Sequence, residues 1–167
     1  MKQSRVTVRY AKALLQLSIE QNSLDQSYND MLMIDAIFVE SKDFALLLKS
    51  PIVKTDHKLR IIDEIFVGKL GKLSMMFVNI ITTKKRESLL SAIAKSFVSL
   101  YKAYNNIESA TVTTAIPLTE SLKQDVIKFV KEGSDKSVEL TEVVDENIIG
   151  GAIIRMGDKQ LDASVSS

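Results

Sequence analysis

The sequence has no cysteine and no tryptophan, and it has one histidine, His57, and two prolines among 167 residues. Without cysteine, a chain has no disulfide, no thiolate metal site and no cysteine nucleophile. One histidine is too few for most transition-metal sites and disfavours serine–histidine catalysis. We therefore predict neither a metal nor a cofactor, and the enzyme class that remains open is one that uses carboxylates or lysines.

Long apolar runs are also missing. The longest uncharged apolar stretch covers residues 73–83, well short of the ~20 residues that a membrane-spanning helix needs. The first fifteen residues, MKQSRVTVRYAKALL, contain no long apolar run and no small-residue cleavage site, so they do not resemble a secretory signal. With 46% apolar and 26% charged residues, the composition is that of an average globular protein. We expect a soluble protein that does not rely on an oxidising compartment.

The net charge of +1 conceals two halves of opposite sign. Residues 1–105 hold 16 Lys and Arg against 10 Asp and Glu, a net +6, and residues 106–167 hold 6 against 11, a net −5. Long helical patterns give way to β-branched runs at the same place, next to the pair Asn105-Asn106, which suits the end of a helix. We predict two domains, 1–105 and 106–167. The alternative from composition alone is one mixed α+β domain.

The first part has the periodicity of a six-helix bundle and the second that of a small α/β domain. Ser23 and Gln26 have the spacing of a capping box, and Pro51 ends the third helix. The predicted helices of the first part cover residues 4–21, 23–40, 42–49, 57–67, 72–83 and 86–104. The second part is predicted as strand 108–115, helix 120–131, strand 137–144, strand 152–156 and a tight turn at Gly157-Asp158 in which the glycine supplies a positive φ.

The first predicted helix has two apolar faces. At ~100° per residue, the nearly opposite faces hold Val6, Tyr10, Ala13, Leu14 and Leu17 on one side and Val8, Ala11, Leu15 and Ile19 on the other. A helix on the outside of a monomeric bundle needs one apolar face. The second face therefore indicates either a central helix buried on both sides or a face kept for a partner. The fifth helix is similar, with one side made of Leu73, Met76, Phe77, Ile80 and Ile81.

None of the candidate chemical motifs specifies a reaction. Gly68 and Gly71 are separated by two residues, whereas a phosphate-binding Walker loop needs four. The basic run 84–86 could touch nucleic acid, but a short charge run is more typical of a solvated turn. Asp158 and Asp162 could form an acid–base pair only in a pocket that shifts a pKa, and no pattern in the sequence indicates one.

The C-terminal end carries a block that begins at Val144-Asp145 and continues over residues 149–155. The block resembles the signature of the δ subunit of the F-type ATP synthase, which is known in mitochondria as the oligomycin-sensitivity-conferring protein. Its signature residues are Gly150, Gly151, Arg155, Gly157, Asp158, Asp162 and Ser164. Further similar positions follow in family order along the chain: Arg9, Tyr10, Ala11, Lys12, Ala13, Leu14, Ser50, Pro51, Arg86, Ala115, Pro117 and Leu118.

The resemblance implies a non-catalytic connector in the peripheral stalk of the ATP synthase. In that family a six-helix N-terminal domain caps the catalytic head and takes N-terminal helices of the α subunits into surface grooves, and the C-terminal domain joins the b subunits. A groove between helices 1 and 5 would here be lined by Val6, Tyr10, Ala13, Leu14, Leu17, Phe77, Ile80 and Ile81, while the face of Ala11 and Leu15 would support the core. The implied location is the cytoplasmic side of a bacterial inner membrane, peripheral and without insertion.

The two ends of the chain are also compared with the family. The chain starts directly with the family's first helix, which favours a bacterial protein, and it stops at Ser167, before the final helix of the family. The runner-up is a helical RNA-binding or transcription-factor module that uses the basic N-terminal domain. Sharp salt dependence of RNA binding would favour it, because phosphate contacts release counterions. A carboxylate enzyme is the third possibility and would need a deep pocket around Asp158 and Asp162.

Overall fold

Six α-helices and one 3₁₀ turn precede the first strand in the computed structural model, which describes residues 4–132, 137–145, 148, 150–157 and 159–162. The chain forms two units, Met1–Tyr101 and Lys102–Ser167. The helices of the first part are α1 (Arg5–Glu20), α2 (Leu24–Glu40), α3 (Lys42–Lys49), α4 (Thr55–Phe66), α5 (Lys72–Thr83), the 3₁₀ turn (Glu87–Leu89) and α6 (Leu90–Tyr104).

Helix ends follow from local hydrogen bonding. The Oγ atoms of Ser4 and Ser41 accept from the main chain at the starts of α1 and α3, as N-cap residues do. Asn22 and Lys85 have φ of 51° and 57° after α1 and α5. In each case the next N–H bonds a carbonyl five residues back, at 2.9 and 3.0 Å, which is the Schellman ending. After α5 the chain forms the 3₁₀ turn Glu87–Leu89, so α6 begins at Leu90 and not at the predicted Arg86.

The predicted capping box at Ser23 and Gln26 is wrong. Ser23 has φ −121° and ψ 24° and makes no side-chain capping bond. The side chain of Gln26 lies instead against Gly71, where an added Cβ would come within 2.7 Å of Gln26 Nε2. The Gly71 N–H donates to Asp30 Oδ2 at 3.0 Å. Gly71 is therefore the residue that lets the start of α5 approach α2.

One apolar core fills the first unit. Its members come from all six helices, and Phe66, Ile81 and Phe97 are among the side chains that are at most 1% exposed. Two polar contacts are also buried in it. Ser18 Oγ bonds Ser27 Oγ at 2.8 Å, and the Lys58 ammonium pairs with the Glu87 carboxylate and donates to Leu48 O at 2.7 Å. Buried polar groups need such partners.

The second unit is a small sheet with one helix. It contains β1 (Ile107–Thr114), α7 (Glu120–Glu132), β2 (Ser137–Val144), β3 (Ala152–Met156) and β4 (Lys159–Asp162), and the strand order is β2-β1-β3-β4. β1 and β2 are parallel and joined through α7, whereas β3 pairs antiparallel with both β1 and β4. The buried core in the described part consists of Ala110, Val112, Val130 and Ile154.

The prediction of a mainly helical chain with a small C-terminal sheet is confirmed. The described residues contain seven α-helices, six before the sheet and one within the second unit. The six-helix description of the first part is incomplete because a 3₁₀ turn stands where the sixth helix was predicted to start.

Candidate functional site

The stripe that α1 buries differs from both predicted faces. Its buried residues are Thr7, Ala11, Leu14 and Ser18, so the stripe takes one member from each predicted face and adds two hydroxyl residues. These hydroxyls are satisfied by the helix itself, since Thr7 Oγ1 donates to Ser4 O at 2.7 Å and Ser18 Oγ to Leu14 O at 2.8 Å. Small polar side chains bonded in this way can line a core, which apolar periodicity does not reveal.

Apolar side chains remain partly open on both sides of this stripe. On one side Leu17 is 42% exposed, Ala13 is exposed and Val6 is half-buried. On the other side Leu15 is half-buried and Ile19 is 36% exposed. The expectation that the Ala11 and Leu15 face supports the core is confirmed for Ala11, which is buried, and for Leu15, which packs against the core, but not for Ile19 at the end of that face.

α5 divides its apolar residues between the core and solvent. It buries Phe77, Val78 and Ile81, and it leaves Met76 and Ile80 54% and 51% exposed. Of the residues predicted to line the groove, Leu14, Phe77 and Ile81 are thus core residues, at most 9% exposed, and they offer little surface to a partner. Met76, which was not among the predicted groove residues, is exposed beside Ile80. The signal was its position four residues before Ile80, which places both on one helix face.

Tyr10 of α1 contacts Phe77 of α5. Its ring lies edge-on to Phe77, with centroids 6.5 Å apart and planes at 71°. The Arg86 guanidinium donates to the Tyr10 hydroxyl and lies 5.5 Å from the ring centroid, and the Arg9 guanidinium lies 5.9 Å away. Such cation–π geometry orients the ring.

Apolar residues that stay exposed or half-buried on the two helices form the candidate surface. Tyr10 shares a side of α1 with Ala13 and Leu17, and Phe77 is three residues from Ile80 on α5. The contact between the Tyr10 and Phe77 rings links the two helices on the side where these residues lie. We call this set the α1–α5 surface: Val6, Tyr10, Ala13, Leu17, Met76 and Ile80.

The signature residues of the second unit shape its sheet. Gly157 has φ 53° in the two-residue turn between β3 and β4, as predicted, and Gly151 has φ 82° just before β3. Arg155 pairs with Thr111 in register and its Nη2 donates to Gln160 Oε1 at 2.9 Å. Gly150 has no atom within 4 Å of an added Cβ.

The remaining signature positions can be placed only in part. Asp162 lies in β4 opposite Ile153. Asp158 and Ser164 lie outside the described residues, so the alternative of an Asp158–Asp162 acid–base pair stays a prediction.

The residues with shifted pKa values form hydrogen bonds or ion pairs between elements of the fold. The hydrogen bond from the Tyr101 hydroxyl to Asp25 Oδ1, 2.7 Å long, raises the pKa of Tyr101 to about 12. The Leu118 N–H holds the pKa of Glu142 below its usual value, helped by the Lys123 ammonium at 3.0 Å. The same contact raises the pKa of Lys123. These contacts join elements of the fold rather than forming an acid–base site.

The described residues contain no group of three His, Asp or Glu side chains that could hold a metal ion. Among the helices in the described ranges, none is both long and apolar enough to cross a membrane.

Known proteins similar to this chain match it over almost its whole length. The family model described as "ATP synthase delta (OSCP) subunit" matches residues 6–167. ATP synthase subunit delta of Cytophaga hutchinsonii is 35% identical over 165 residues, which cover 99% of this chain and 90% of that protein. The subunit delta of Christiangramia forsetii is 36% identical over 166 residues, with coverage of 99% and 90%.

The fold also matches a solved structure. A chain of the Toxoplasma gondii mitochondrial ATP synthase hexamer, determined by cryo-EM, superposes with a TM-score of 0.78 and covers 97% of this chain and 92% of its own length. At 22% identity the match concerns the fold alone.

Proposed function

The chain belongs to the ATP synthase delta (OSCP) subunit family, as the sequence resemblance indicated, and from this premise we propose that it connects the catalytic head to the peripheral stalk. The family is a structural, non-catalytic part of the ATP synthase. The proposed role is to hold the α subunits of the head against the b subunits of the stalk and so to resist the torque of the rotor. The proposed location is peripheral, on the cytoplasmic side of a bacterial inner membrane.

The observation that carries this proposal is the α1–α5 surface. An amphipathic helix binds by laying its apolar face into a hydrophobic groove, and this surface offers Leu17, Met76 and Ile80 at 42%, 54% and 51% exposure. Covering the exposed half of three such side chains contributes roughly 1 kcal/mol each. Methionine adapts to the shape of the side chains it meets, so Met76 suits a docking position.

Two arginines beside the α1–α5 surface add positive charge to it. Arg9 and Arg86 flank the Tyr10 ring, and the first unit has a basic excess. A partner helix with a carboxylate near one end would pair with these guanidiniums, which bind carboxylates in a forked geometry. We propose an N-terminal helix of the α subunit as the occupant.

For the second unit we propose contact with the b subunits. Support comes from apolar side chains left open on its two edge strands: Val143 and Val144 of β2 and Leu161 of β4 are 41–47% exposed. Exposed apolar residues on sheet edges are usually covered by another chain or element.

The substitution Ala13→Asp tests the docking role of the first unit. Ala13 is exposed on the α1–α5 surface, so the variant should fold, but a bound helix would have to bury the new carboxylate without a partner. A buried charge that lacks its partner costs roughly 3–5 kcal/mol, which corresponds to about two or more decades of affinity. Calorimetry with a synthetic peptide of the α-subunit N-terminus would measure the loss.

Two control variants on the same helix complete the test. Gln16→Asp adds the same side chain at an exposed position outside the surface and should bind normally. Ala11→Asp enters the core, where Ala11 is 0% exposed, and should unfold the first unit. Normal binding by a folded Ala13→Asp variant would show that the docking site lies elsewhere.

A further inference from the structure

Methionine thioethers are the only sulfur groups of this protein, because the sequence has six methionines and no cysteine. A thioether takes up an oxygen atom from a peroxide and becomes a sulfoxide, which is polar and accepts hydrogen bonds. Oxidation therefore turns an apolar position into a polar one. The reaction needs contact between the sulfur and the peroxide, so the most exposed methionine reacts first.

The five methionines in the described part of the chain differ widely in exposure. Met76 is 54% exposed and Met33 is 37% exposed, whereas Met31 is 1% exposed. Met75 and Met156 are half-buried, and they pack against the cores of the first and second units. We therefore expect Met76 to be oxidised before the others.

Met76 is also the methionine of the α1–α5 surface. It precedes by four residues Ile80, which is 51% exposed, and it stands next to Phe77, whose ring contacts that of Tyr10. Met33 lies on α2, outside this surface. The methionine with the greatest exposure is thus the one that a docked helix would cover.

A sulfoxide at this position would oppose docking. In the free protein, water can donate hydrogen bonds to the sulfoxide oxygen. An apolar helix face laid on the surface would displace that water, and the side chains of Ala13, Leu17 and Ile80 have no donor to offer in exchange. A polar group that loses its hydrogen bonds on burial weakens the contact.

We propose that oxidation of Met76 switches off docking on the α1–α5 surface, an inference that rests on the proposed function. Hydrogen peroxide transfers one oxygen atom to the sulfur: the O–O bond breaks, an S–O bond forms, the sulfur loses two electrons and the peroxide leaves as water. A methionine sulfoxide reductase restores the thioether, with two thiols supplying the electrons and ending as a disulfide. Because a docked helix covers the sulfur, oxidation acts on the free subunit and so on assembly.

The first test follows the reaction itself. The full chain is treated with hydrogen peroxide, and mass spectrometry of peptide fragments measures the sulfoxide at each methionine. Met76 should react faster than Met33 and Met75. A saturating peptide of the α-subunit N-terminus should slow oxidation of Met76 and leave the rate at Met33 unchanged.

The second test follows binding. Calorimetry with the same peptide, after removal of the peroxide, should show that the oxidised chain binds at least about tenfold more weakly than the untreated chain. Reductase and a thiol should restore the affinity. In Met76→Leu the affinities before and after peroxide should be equal, whatever the starting value, whereas the matched control Met33→Leu should lose affinity as the wild type does.

The outcomes separate this inference from the proposed function. Absence of binding by the untreated chain would overturn both. Binding that is unchanged once Met76 is oxidised, or that falls equally in Met76→Leu and the wild type, would overturn the inference alone. A fall in the melting temperature of the oxidised wild type that is as large in Met76→Leu would place the damage at Met31 or Met75 in the core, and would also overturn it.

Discussion

The two units of this protein differ in how much core supports them. In the first unit the described core includes 16 buried apolar residues drawn from all six helices, and in the second unit the described core includes four. Domains with little buried apolar surface are marginally stable. The first unit can therefore leave apolar residues such as Met76 and Ile80 exposed, whereas the described part of the second unit has little apolar burial to lose.

The largest effect should come from the buried ion pair of the first unit, which has no counterpart in the described part of the second. Lys58→Met removes one member of a pair whose side chains are 5% and 8% exposed and leaves the Glu87 carboxylate buried alone. Breaking such a pair costs roughly 3–5 kcal/mol, so we expect the urea midpoint of the first unit to fall strongly.

The control for this variant is Lys95→Met. Lys95 forms an ion pair with Asp35 at 3.7 Å in which the side chains are 60% and 25% exposed, and exposed pairs contribute about 0–1 kcal/mol. Similar losses of stability in the two variants would contradict the assignment of Lys58 and Glu87 to the core.

Matched valine truncations compare the two cores directly. Val78 in the first unit and Val112 in the second are both 0% exposed, and each Val→Ala change removes the same two methyl groups at a cost of about 2 kcal/mol. We expect Val112→Ala to unfold the second unit at temperatures where Val78→Ala leaves the first unit folded. Amide NMR spectra recorded during heating would follow both units at once. Unfolding of the first unit at a lower temperature than the second would contradict the expected order of stability.

Acid should also act on the second unit through Glu142. Its pKa is lowered by the Leu118 N–H and then by Lys123, so its ionised form is favoured in the folded state. The resulting stabilisation is present above the ordinary value of 4.5 and is lost as the pH falls through the lower, folded-state value. Glu142→Gln should reduce the loss of stability that the second unit shows as the pH falls. An unchanged dependence of stability on pH would show that Glu142 does not cause this loss.

The smallest effect concerns a surface contact of the first unit. Asp25 accepts a hydrogen bond from Tyr101, whose pKa is about 12. Because the folded-state value is raised above the ordinary 10.0, the contact stabilises the fold below pH 10 and is lost as the pH rises through about 12. Asp25→Asn should move the titration of Tyr101 back towards 10, as ultraviolet absorbance of the phenolate would report. A titration that stays in place would show that Asp25 is not the cause.

The features that could be predicted from the sequence are those that depend on residues close together in the chain. α3 and α5 begin and end at the predicted residues. The start of α3 is set by the Ser41 cap, and Gly71 immediately precedes α5. The faces of α1 could not be predicted, since burial of Thr7 and Ser18 depends on which helices pack there. Nor could the Lys58–Glu87 pair, whose members are 29 residues apart.

The central claim is that the first unit receives a partner helix on the α1–α5 surface. Methyl NMR of the full chain, titrated with a peptide of the α-subunit N-terminus, tests it most directly. The account predicts that the methyl signals of Leu17, Met76 and Ile80 shift on binding, while those of Val39 and Leu46, which are 67% and 65% exposed but lie outside this surface, stay in place. Shifts at Val39 and Leu46 with Leu17, Met76 and Ile80 unchanged would contradict it.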